Sequence, residues 1–216
     1  MPHSNFPSLY AILDVEAVTA RGWKPADVCL AWLSAGVRLI QLRAKSLVSG
    51  AFLELADEIV AIGRAPGARI IINDRADIAR MAGAAGVHLG QDDLAPEDAR
   101  LALGGAGIVG LSTHDPAQVA SGAREPVSYL ALGPIYATAT KDTGYEALGL
   151  GPLREAAAVT AGAGLALVAI GGLTLDRAPD VREAGADSLA VITDLLAASD
   201  LSGVEARARA WIGRLT

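Results

Sequence analysis

Three long polar side chains, those of Gln41, Arg43 and Lys45, occupy alternate positions at the end of an apolar run. Alternate residues of an extended chain point the same way, so these side chains would share one face. Arginine and lysine both supply cationic hydrogen-bond donors for oxyanions. The segment therefore predicts an anion-binding site. The alternative is a solvated loop whose charges point in different directions.

Acidic residues follow the next two apolar runs. Asn73 and Asp74 end one run, and Asp92 and Asp93 come shortly after His88 in the other. Two carboxylates together with diphosphate oxygens are a usual way to hold Mg2+, although each aspartate alone is also a common cap of a helix or turn. Beside a cationic segment, the carboxylates predict a site for a diphosphate and Mg2+. His88 is expected to orient its neighbours rather than to bind metal.

Hydroxyl groups and glycines further along the chain indicate a second anion site. Two threonines and a lysine follow the sixth apolar run: Thr138, Thr140 and Lys141. The paired glycines Gly171 and Gly172 would let a phosphate approach backbone N–H groups. Thr193, expected to open the last helix, would complete this cup for a monophosphate.

The segment Ser112-Thr113-His114 brings a hydroxyl group and an imidazole close together in the chain. Such a pair could act as nucleophile and base, but neither a strained elbow motif nor an obvious third partner accompanies it. A hydrolytic dyad is therefore not favoured. His114 could instead serve as an acid–base group, which leaves a proton-transfer reaction open as an alternative.

The elements that must position these residues alternate between short apolar runs and amphipathic segments. Eight runs are predicted as strands: residues 9–13, 37–42, 69–72, 86–89, 108–111, 129–132, 166–170 and 188–191. Predicted helices include residues 51–63, 96–103, 116–123, 153–161, 177–184 and 204–215. Strands that alternate with helices pair in parallel. The pattern favours an α/β fold, a single (β/α)8 TIM barrel over residues 1–216 whose site lies at the carboxyl ends of the strands.

Glycines stand at several predicted junctions. Gly36, Gly86 and Gly185 each precede or open a predicted strand, where the end of a helix often needs a left-handed residue. Residues 138–151 form the longest stretch without clear periodicity, and we interpret them as a candidate lid.

Composition and charge argue against several classes of protein. Apolar residues make up 52% and charged residues 19% of the 216 residues, and the formal net charge is −6. This acidic chain with scattered basic residues does not suit nucleic-acid binding. No apolar run approaches the roughly 20 residues of a membrane helix. Cys29, the only cysteine, suits a reducing cytoplasm, and the first nine residues predict no signal peptide.

Six motifs occur in order: Gln-Leu-Arg-x-Lys, Ile-Asn-Asp-Arg, Val-His-Leu-Gly-Gln-x-Asp, Gly-x-Ser-Thr-His, Gly-Pro-Ile-Tyr-x-Thr-x-Thr-Lys and Ala-Ile-Gly-Gly-Leu. Together they make the chain closely resemble the thiamine-phosphate synthase family over nearly its whole length. The resemblance implies a Mg2+-dependent transferase that joins a pyrimidine diphosphate to a thiazole phosphate. Members of this family are often homodimers.

The resemblance also implies roles for the matching positions. The pyrimidine diphosphate would be held by Gln41, Arg43, Lys45, Asn73 and Lys141, and the substrate-binding residue Ser112 would lie near the reacting carbon or the departing diphosphate. Mg2+ would be held by Asp74 and Asp93. The thiazole phosphate would be seated by Thr138, Thr140, Gly171, Ile192 and Thr193. Catalysis, as stabilisation of the departing diphosphate without a protein nucleophile, is assigned to Ser112, Lys141 and Arg43.

Two other functions stay open. A thiazole tautomerase-like enzyme would share the barrel and the phosphate cup but transfer a proton, and a non-catalytic regulator would only bind thiazole phosphate. The tautomerase-like branch would lack the diphosphate-binding set of Arg43, Lys45, Asp93 and Lys141, which this sequence retains, and a regulator would not need both metal carboxylates. One departure from the family is Ala137, where proline is frequent, and it puts the stiffness of that loop in question.

Overall fold

A computed structural model describes residues 6–64, 66–137 and 144–216 of the chain. Eight strands pair in parallel, each with the next one in the chain, and the eighth pairs with the first. The sheet is thus a closed barrel, and helices lie between consecutive strands along the chain. The predicted α/β fold, a (β/α)8 TIM barrel, is confirmed.

The strands are β1 Leu9–Asp14, β2 Leu39–Arg43, β3 Arg69–Asn73, β4 Gly86–Leu89, β5 Ile108–Thr113, β6 Tyr129–Leu132, β7 Ala166–Ile170 and β8 Ser188–Val191. The helices are α1 Val15–Thr19, α2 Pro25–Ala35, α3 Ser49–Arg64, α4 Ala76–Ala82, α5 Pro96–Ala102, α6 Pro116–Gly122, α7 Leu150–Ala163, α8 Ala178–Glu183 and α9 Leu201–Leu215. No helix within the described residues is long and apolar enough to cross a membrane.

All eight predicted strands occur, with bounds that shift by no more than one or two residues. The prediction for Thr193 is wrong in one respect, because this residue opens a short 3-10 helix, Thr193–Leu196, and not the last helix. The last helix starts later because Asp200 caps it, accepting a hydrogen bond from the backbone N–H of Gly203 at 2.8 Å. Within the candidate lid, residues 138–143 lie outside the described residues, and α7 already begins at Leu150.

Side chains of the strands alternate between the interior of the barrel and the layer beneath the helices. In β1, Ala11 and Leu13 belong to the outer cluster, whereas Tyr10 and Ile12 belong to the inner one. The inner cluster of buried residues consists of Tyr10, Ile12, Leu39, Ile71, Tyr129, Ala131, Ala166, Val168 and Ala190. These side chains fill the interior and form the floor beneath the carboxyl ends of the strands.

The glycines at the junctions have different physical reasons. Gly36 and Gly185 have φ angles of 106° and 100°, as expected for left-handed residues after a helix. The prediction for Gly86 is wrong, because α4 ends at Ala82, Gly83 with a φ of 66° is the left-handed residue that follows it, and Gly86 is already part of β4. Gly86 is required by packing instead, since a Cβ there would overlap the backbone carbonyl of Ile108 on β5.

Gly110 on β5 provides a test of how tightly the interior is packed. A Cβ at this position would overlap the ring of Tyr129, which is fully buried. Because a close-packed interior cannot yield easily, we expect Gly110→Ala to lower the free energy of unfolding by about 1–3 kcal/mol in urea denaturation. The control Gly162→Ala lies in α7 with nothing within 4 Å of the added Cβ, and it should not destabilise the protein. Equal stability of Gly110→Ala and the wild type would contradict this packing.

Candidate active site

Two adjoining cavities open where the carboxyl ends of the strands meet. Their volumes are about 320 Å³ and about 470 Å³. The residues that line both are Ser112, His114, Ala131, Ile170, Ala190 and Ile192. The two cavities therefore share a wall, and molecules bound in them would be neighbours.

The structure brings most of the sequence-predicted site residues to these cavities. The first cavity is lined by Gln41, Arg43, Lys45, Asn73, Asp74, Asp93 and Ser112, and also by Asp92 and His88. The second is lined by Gly171, Ile192 and Thr193. Thr138, Thr140 and Lys141 lie outside the described residues, so their predicted roles stay predictions.

Arg43 is held in place by Asp14, a residue for which the sequence predicts no role. Arg43 Nη1 donates to Asp14 Oδ2 at 2.5 Å, and the two residues are register partners at the ends of β2 and β1. The other carboxylate oxygen of Asp14 accepts from the backbone N–H of Ala17 at 2.9 Å and so caps α1. One buried carboxylate thus starts a helix and orients the guanidinium. Its position directly after an apolar run was the available signal, the same one that singled out Asp74.

Asp74 and Asp93 form a pair of neighbouring carboxylates at the rim. Partial burial and the nearby Asp74 raise the pKa of Asp93 above its ordinary value, although the backbone N–H of Gly90, which donates to Asp93 Oδ2 at 2.6 Å, opposes this. Lys45, which follows β2 in the cationic segment, forms an ion pair with Asp74. The cavity therefore concentrates two negative groups beside a lysine, which favours the approach of a further cation.

The donors at this rim fit a hard divalent cation such as Mg2+. Carboxylate oxygens are its preferred protein ligands, and Mg2+ usually takes one or two of them together with phosphate oxygens and water. Within the described part of the chain, no group of three or more histidine, cysteine or acidic residues could hold a metal by itself. Asp74 and Asp93 would therefore supply two ligands, and an anionic substrate with water would complete the coordination.

The capping alternative accounts for these carboxylates only in part. Arg75, and not Asp74, precedes the first residue of α4, and no side chain caps that helix. Asp74 has a φ of 61°, and its backbone N–H donates to the carbonyl of His88 at 2.7 Å. A left-handed conformation is unusual for a residue with a side chain and is often found at functional sites. Asp93, in contrast, does stabilise the turn at Gly90.

Ser112 pairs with His88 and not with the histidine two residues away. The Nε2 atom of His88 lies 2.8 Å from Ser112 Oγ. His114 Nδ1 lies 2.6 Å from the carbonyl oxygen of Gly133, and the His114 ring stacks on Tyr145 at 4.1 Å between centroids. The structure thus separates the two neighbours in sequence, and a Ser112–His114 dyad does not form.

The second cavity has a backbone-rich wall and one cationic group that the sequence analysis did not name. Gly171 and Gly172 have φ angles of 100° and 61°, and a Cβ on either would approach the segment from Pro134 to Ala137 to within 2.6 Å. Close packing of two loops is therefore a sufficient reason for these glycines. Arg177 lines the same cavity, donates to the carbonyl of Gly172 at 2.7 Å and lies 4.3 Å from the ring centroid of Tyr136.

The family model, two relatives and a solved structure that this chain resembles are all thiamine-phosphate synthases. The model of the thiamine monophosphate synthase family matches residues 9–195. The thiamine-phosphate synthase of Koribacter versatilis is 42% identical over 197 residues, 88% of this chain and 89% of the relative. That of Thermus thermophilus is 42% identical over 168 residues, 78% of this chain and 79% of the relative. The structure of a thiamine phosphate pyrophosphorylase from Pyrococcus furiosus, 24% identical, covers 96% of both chains with a TM-score of 0.82 and supports the fold.

The raised pKa of Asp93 predicts a specific dependence of stability on pH. A raised carboxyl pKa means that the folded protein holds the proton more tightly than the unfolded one. The resulting stabilisation is present below about pH 4 and is lost as the pH rises through the raised value. We therefore expect Asp93→Asn to gain stability relative to the wild type between about pH 4 and pH 7, measured by urea denaturation without divalent cations.

Magnesium provides the control for this measurement. If Asp74 and Asp93 hold Mg2+, the ion should stabilise the wild type at pH 7 and should have less effect on Asp93→Asn, because the carboxylate pair is brought together only in the folded protein. A stability difference between the two proteins that does not change with pH would contradict the assigned electrostatics.

Proposed function

Because this chain belongs to the thiamine monophosphate synthase family, we propose that its two cavities hold the two substrates of thiamine phosphate formation. The enzyme is a transferase of thiamine biosynthesis that catalyses this condensation. In our proposal, hydroxymethylpyrimidine diphosphate lies in the first cavity, and hydroxyethyl-methylthiazole phosphate lies in the second. The products are thiamine phosphate and diphosphate.

The observation that carries this assignment is the shared wall between a cavity of paired charges and a cavity of exposed backbone. A diphosphate needs cationic donors and a metal site, which Arg43, Lys45, Asp74 and Asp93 offer together. The wall around Ser112 would then lie beside the reactive methylene carbon. Proximity of the two substrates converts a bimolecular reaction into one within a single complex.

Departure of the diphosphate is the difficult step in this proposal. The bond between the methylene carbon and the bridging oxygen breaks, and its electron pair goes to the diphosphate. Arg43 and Lys45 stabilise the growing negative charge, and Asp14 keeps the guanidinium of Arg43 aimed at it. Asp74 and Asp93 would hold Mg2+, whose charge would neutralise the leaving group further.

Capture by the thiazole completes the reaction. The thiazole nitrogen donates its lone pair to the methylene carbocation, so that no protein nucleophile and no proton transfer are needed. Gly171, Ile192 and Thr193 are proposed to seat the phosphate of the thiazole, with Arg177 at the same cavity as a further cationic donor. Thr138, Thr140 and Lys141 keep the roles that the resemblance implies.

Cofactor, location and assembly also belong to the proposal. The carboxylate pair supports Mg2+ as the metal. The buried free thiol of Cys29 suits a reducing compartment such as the cytoplasm. A homodimer, small-molecule substrates and the absence of nucleic-acid partners remain the expectations drawn from the sequence.

The metal assignment is tested by exchanging one carboxylate at a time. Asp93→Asn should fold normally but reduce the Mg2+-dependent kcat by more than about 100-fold, because it removes charge from the site that stabilises the leaving group. The rate is followed as thiamine phosphate formed from the two substrates over a Mg2+ titration.

Asp92→Asn is the matched control, since Asp92 is the adjacent carboxylate and lines the same cavity. It should change kcat by less than about threefold, which corresponds to less than about 1 kcal/mol in activation free energy, as expected for an exposed charge. Equal losses in both variants would show a general electrostatic effect, and an unimpaired Asp93→Asn would remove Asp93 from the metal site.

A further inference from the structure

A chain of hydrogen bonds crosses the interior of the barrel and ends at the wall shared by the two cavities. Gln41 Nε2 donates to Tyr10 Oη at 2.9 Å, and Tyr10 Oη lies 2.9 Å from Tyr129 Oη. Tyr129 Oη in turn lies 2.9 Å from His88 Nδ1, and His88 Nε2 lies 2.8 Å from Ser112 Oγ. We call these five side chains the relay. The sequence predicts roles for Gln41 and Ser112 but none for the two tyrosines.

The relay has a direction because each member has a limited number of protons to give. An amide nitrogen only donates, so Tyr10 Oη accepts from Gln41 and uses its own proton toward Tyr129. Tyr129 then donates to His88 Nδ1. A neutral imidazole that accepts at Nδ1 carries its proton on Nε2, which donates to Ser112. Ser112 therefore keeps its own proton for a partner outside the relay.

Both tyrosines can maintain this direction of hydrogen bonding because their hydroxyl groups stay protonated. They are fully buried in the barrel interior, and burial raises the pKa of each phenol far above its ordinary value. Each hydroxyl therefore has one proton to donate at neutral pH. Their rings meet edge to face, with centroids 5.9 Å apart and an interplanar angle of 85°, which fixes the position of both hydroxyl groups.

The backbone makes room for the relay at one position. Gly110 on β5 is the register partner of both His88 on β4 and Tyr129 on β6. A side chain there would overlap the Tyr129 ring, so its absence allows Tyr129 to reach across β5 to the imidazole. The His88 and Tyr129 rings lie 5.6 Å apart and within 13° of parallel.

We propose that Tyr10 and Tyr129 are positioning residues that fix His88 with its proton on Nε2 and thereby make the Ser112 hydroxyl a hydrogen-bond donor into the cavities. The substrate side of this inference rests on the proposed function. The oxygens of a departing diphosphate only accept hydrogen bonds, so they select the same direction from the other end of the relay. Donation from Ser112 strengthens as negative charge grows on the leaving group.

The same polarity explains why Ser112 and His88 do not act as nucleophile and base. A base must offer a lone pair to the hydroxyl proton, and here His88 Nε2 already carries a hydrogen. His88 Nε2 and Ser112 Oγ lie 2.8 Å apart, but in this hydrogen bond the imidazole donates and the hydroxyl oxygen accepts. Reversal would require the Gln41 amide to present its oxygen to Tyr10 instead of its nitrogen.

Nitrogen-15 NMR of protein labelled at histidine tests the inference directly. Long-range proton–nitrogen correlations distinguish Nε2–H from Nδ1–H imidazole, and His88→Gln identifies the signal of His88 among the three histidines. We expect the Nε2–H form in the free wild-type enzyme. A predominant Nδ1–H form would overturn the proposal, whatever the activity of the variants.

Two tyrosine variants test whether the effect on His88 decreases with distance along the relay. Tyr129→Phe removes the donor to His88 Nδ1 and should shift the His88 signals toward a mixture of both forms. It should lower kcat about tenfold, a loss of about 1.4 kcal/mol, with KM for the pyrimidine diphosphate within about threefold. Tyr10 is one hydrogen bond further from His88, so Tyr10→Phe should show the same changes to a smaller extent. Unchanged kcat and an unchanged His88 signal in Tyr129→Phe would overturn the proposal.

Failure of this inference is distinguishable from failure of the proposed function. The form of His88 is read in the free wild-type enzyme, so it requires no substrate turnover, and His88→Gln serves only to assign the signal. A wild type that forms thiamine phosphate but carries Nδ1–H on His88 would reject the relay alone. A wild type that carries Nε2–H but forms no thiamine phosphate would reject the proposed function alone.

Discussion

Parallel pairing of all eight strands in one closed register is the constraint on which the site depends. Because every strand runs the same way, the side chains that follow β1 to β5 converge on one rim although they are far apart in sequence. The same register places Asp14 opposite Arg43, and His88 opposite both Asn73 and Gly110. The positions of the side chains in the site therefore depend on the backbone hydrogen bonds that fix the register of the strands.

Charge on this rim is arranged in pairs, and two of these pairs have a member that also helps to build the fold. Asp14 caps α1 while it holds Arg43, and Asp93 stabilises the turn at Gly90 while it faces Asp74. A group with two partners has little freedom to rotate, so these charged side chains are held in fixed positions at the cavity. Electrostatic stabilisation of a leaving group is most effective when the surrounding dipoles and charges do not have to reorganise.

The sequence was sufficient for the barrel and for the polar residues at strand ends. Short apolar runs located all eight strands, and the ends of those runs located Arg43, Asp74 and Ser112. Contacts between distant residues could not be inferred in this way. Tyr10 and Tyr129 look like ordinary core aromatics in the sequence, and their link depends on the absence of a side chain at Gly110. The sequence predicts a helix end at Gly86 because a glycine required by the close approach of two backbones cannot be told from one required by a left-handed turn.

A stoichiometric assay of the purified enzyme with both substrates and Mg2+ tests directly whether the two cavities act together in one condensation. Thiamine phosphate and released diphosphate would be measured together, with and without a chelator. We expect both products to appear in equal amounts and neither to appear once the metal is removed. Binding of the thiazole phosphate without either product would contradict the account, as would diphosphate release that does not depend on the thiazole.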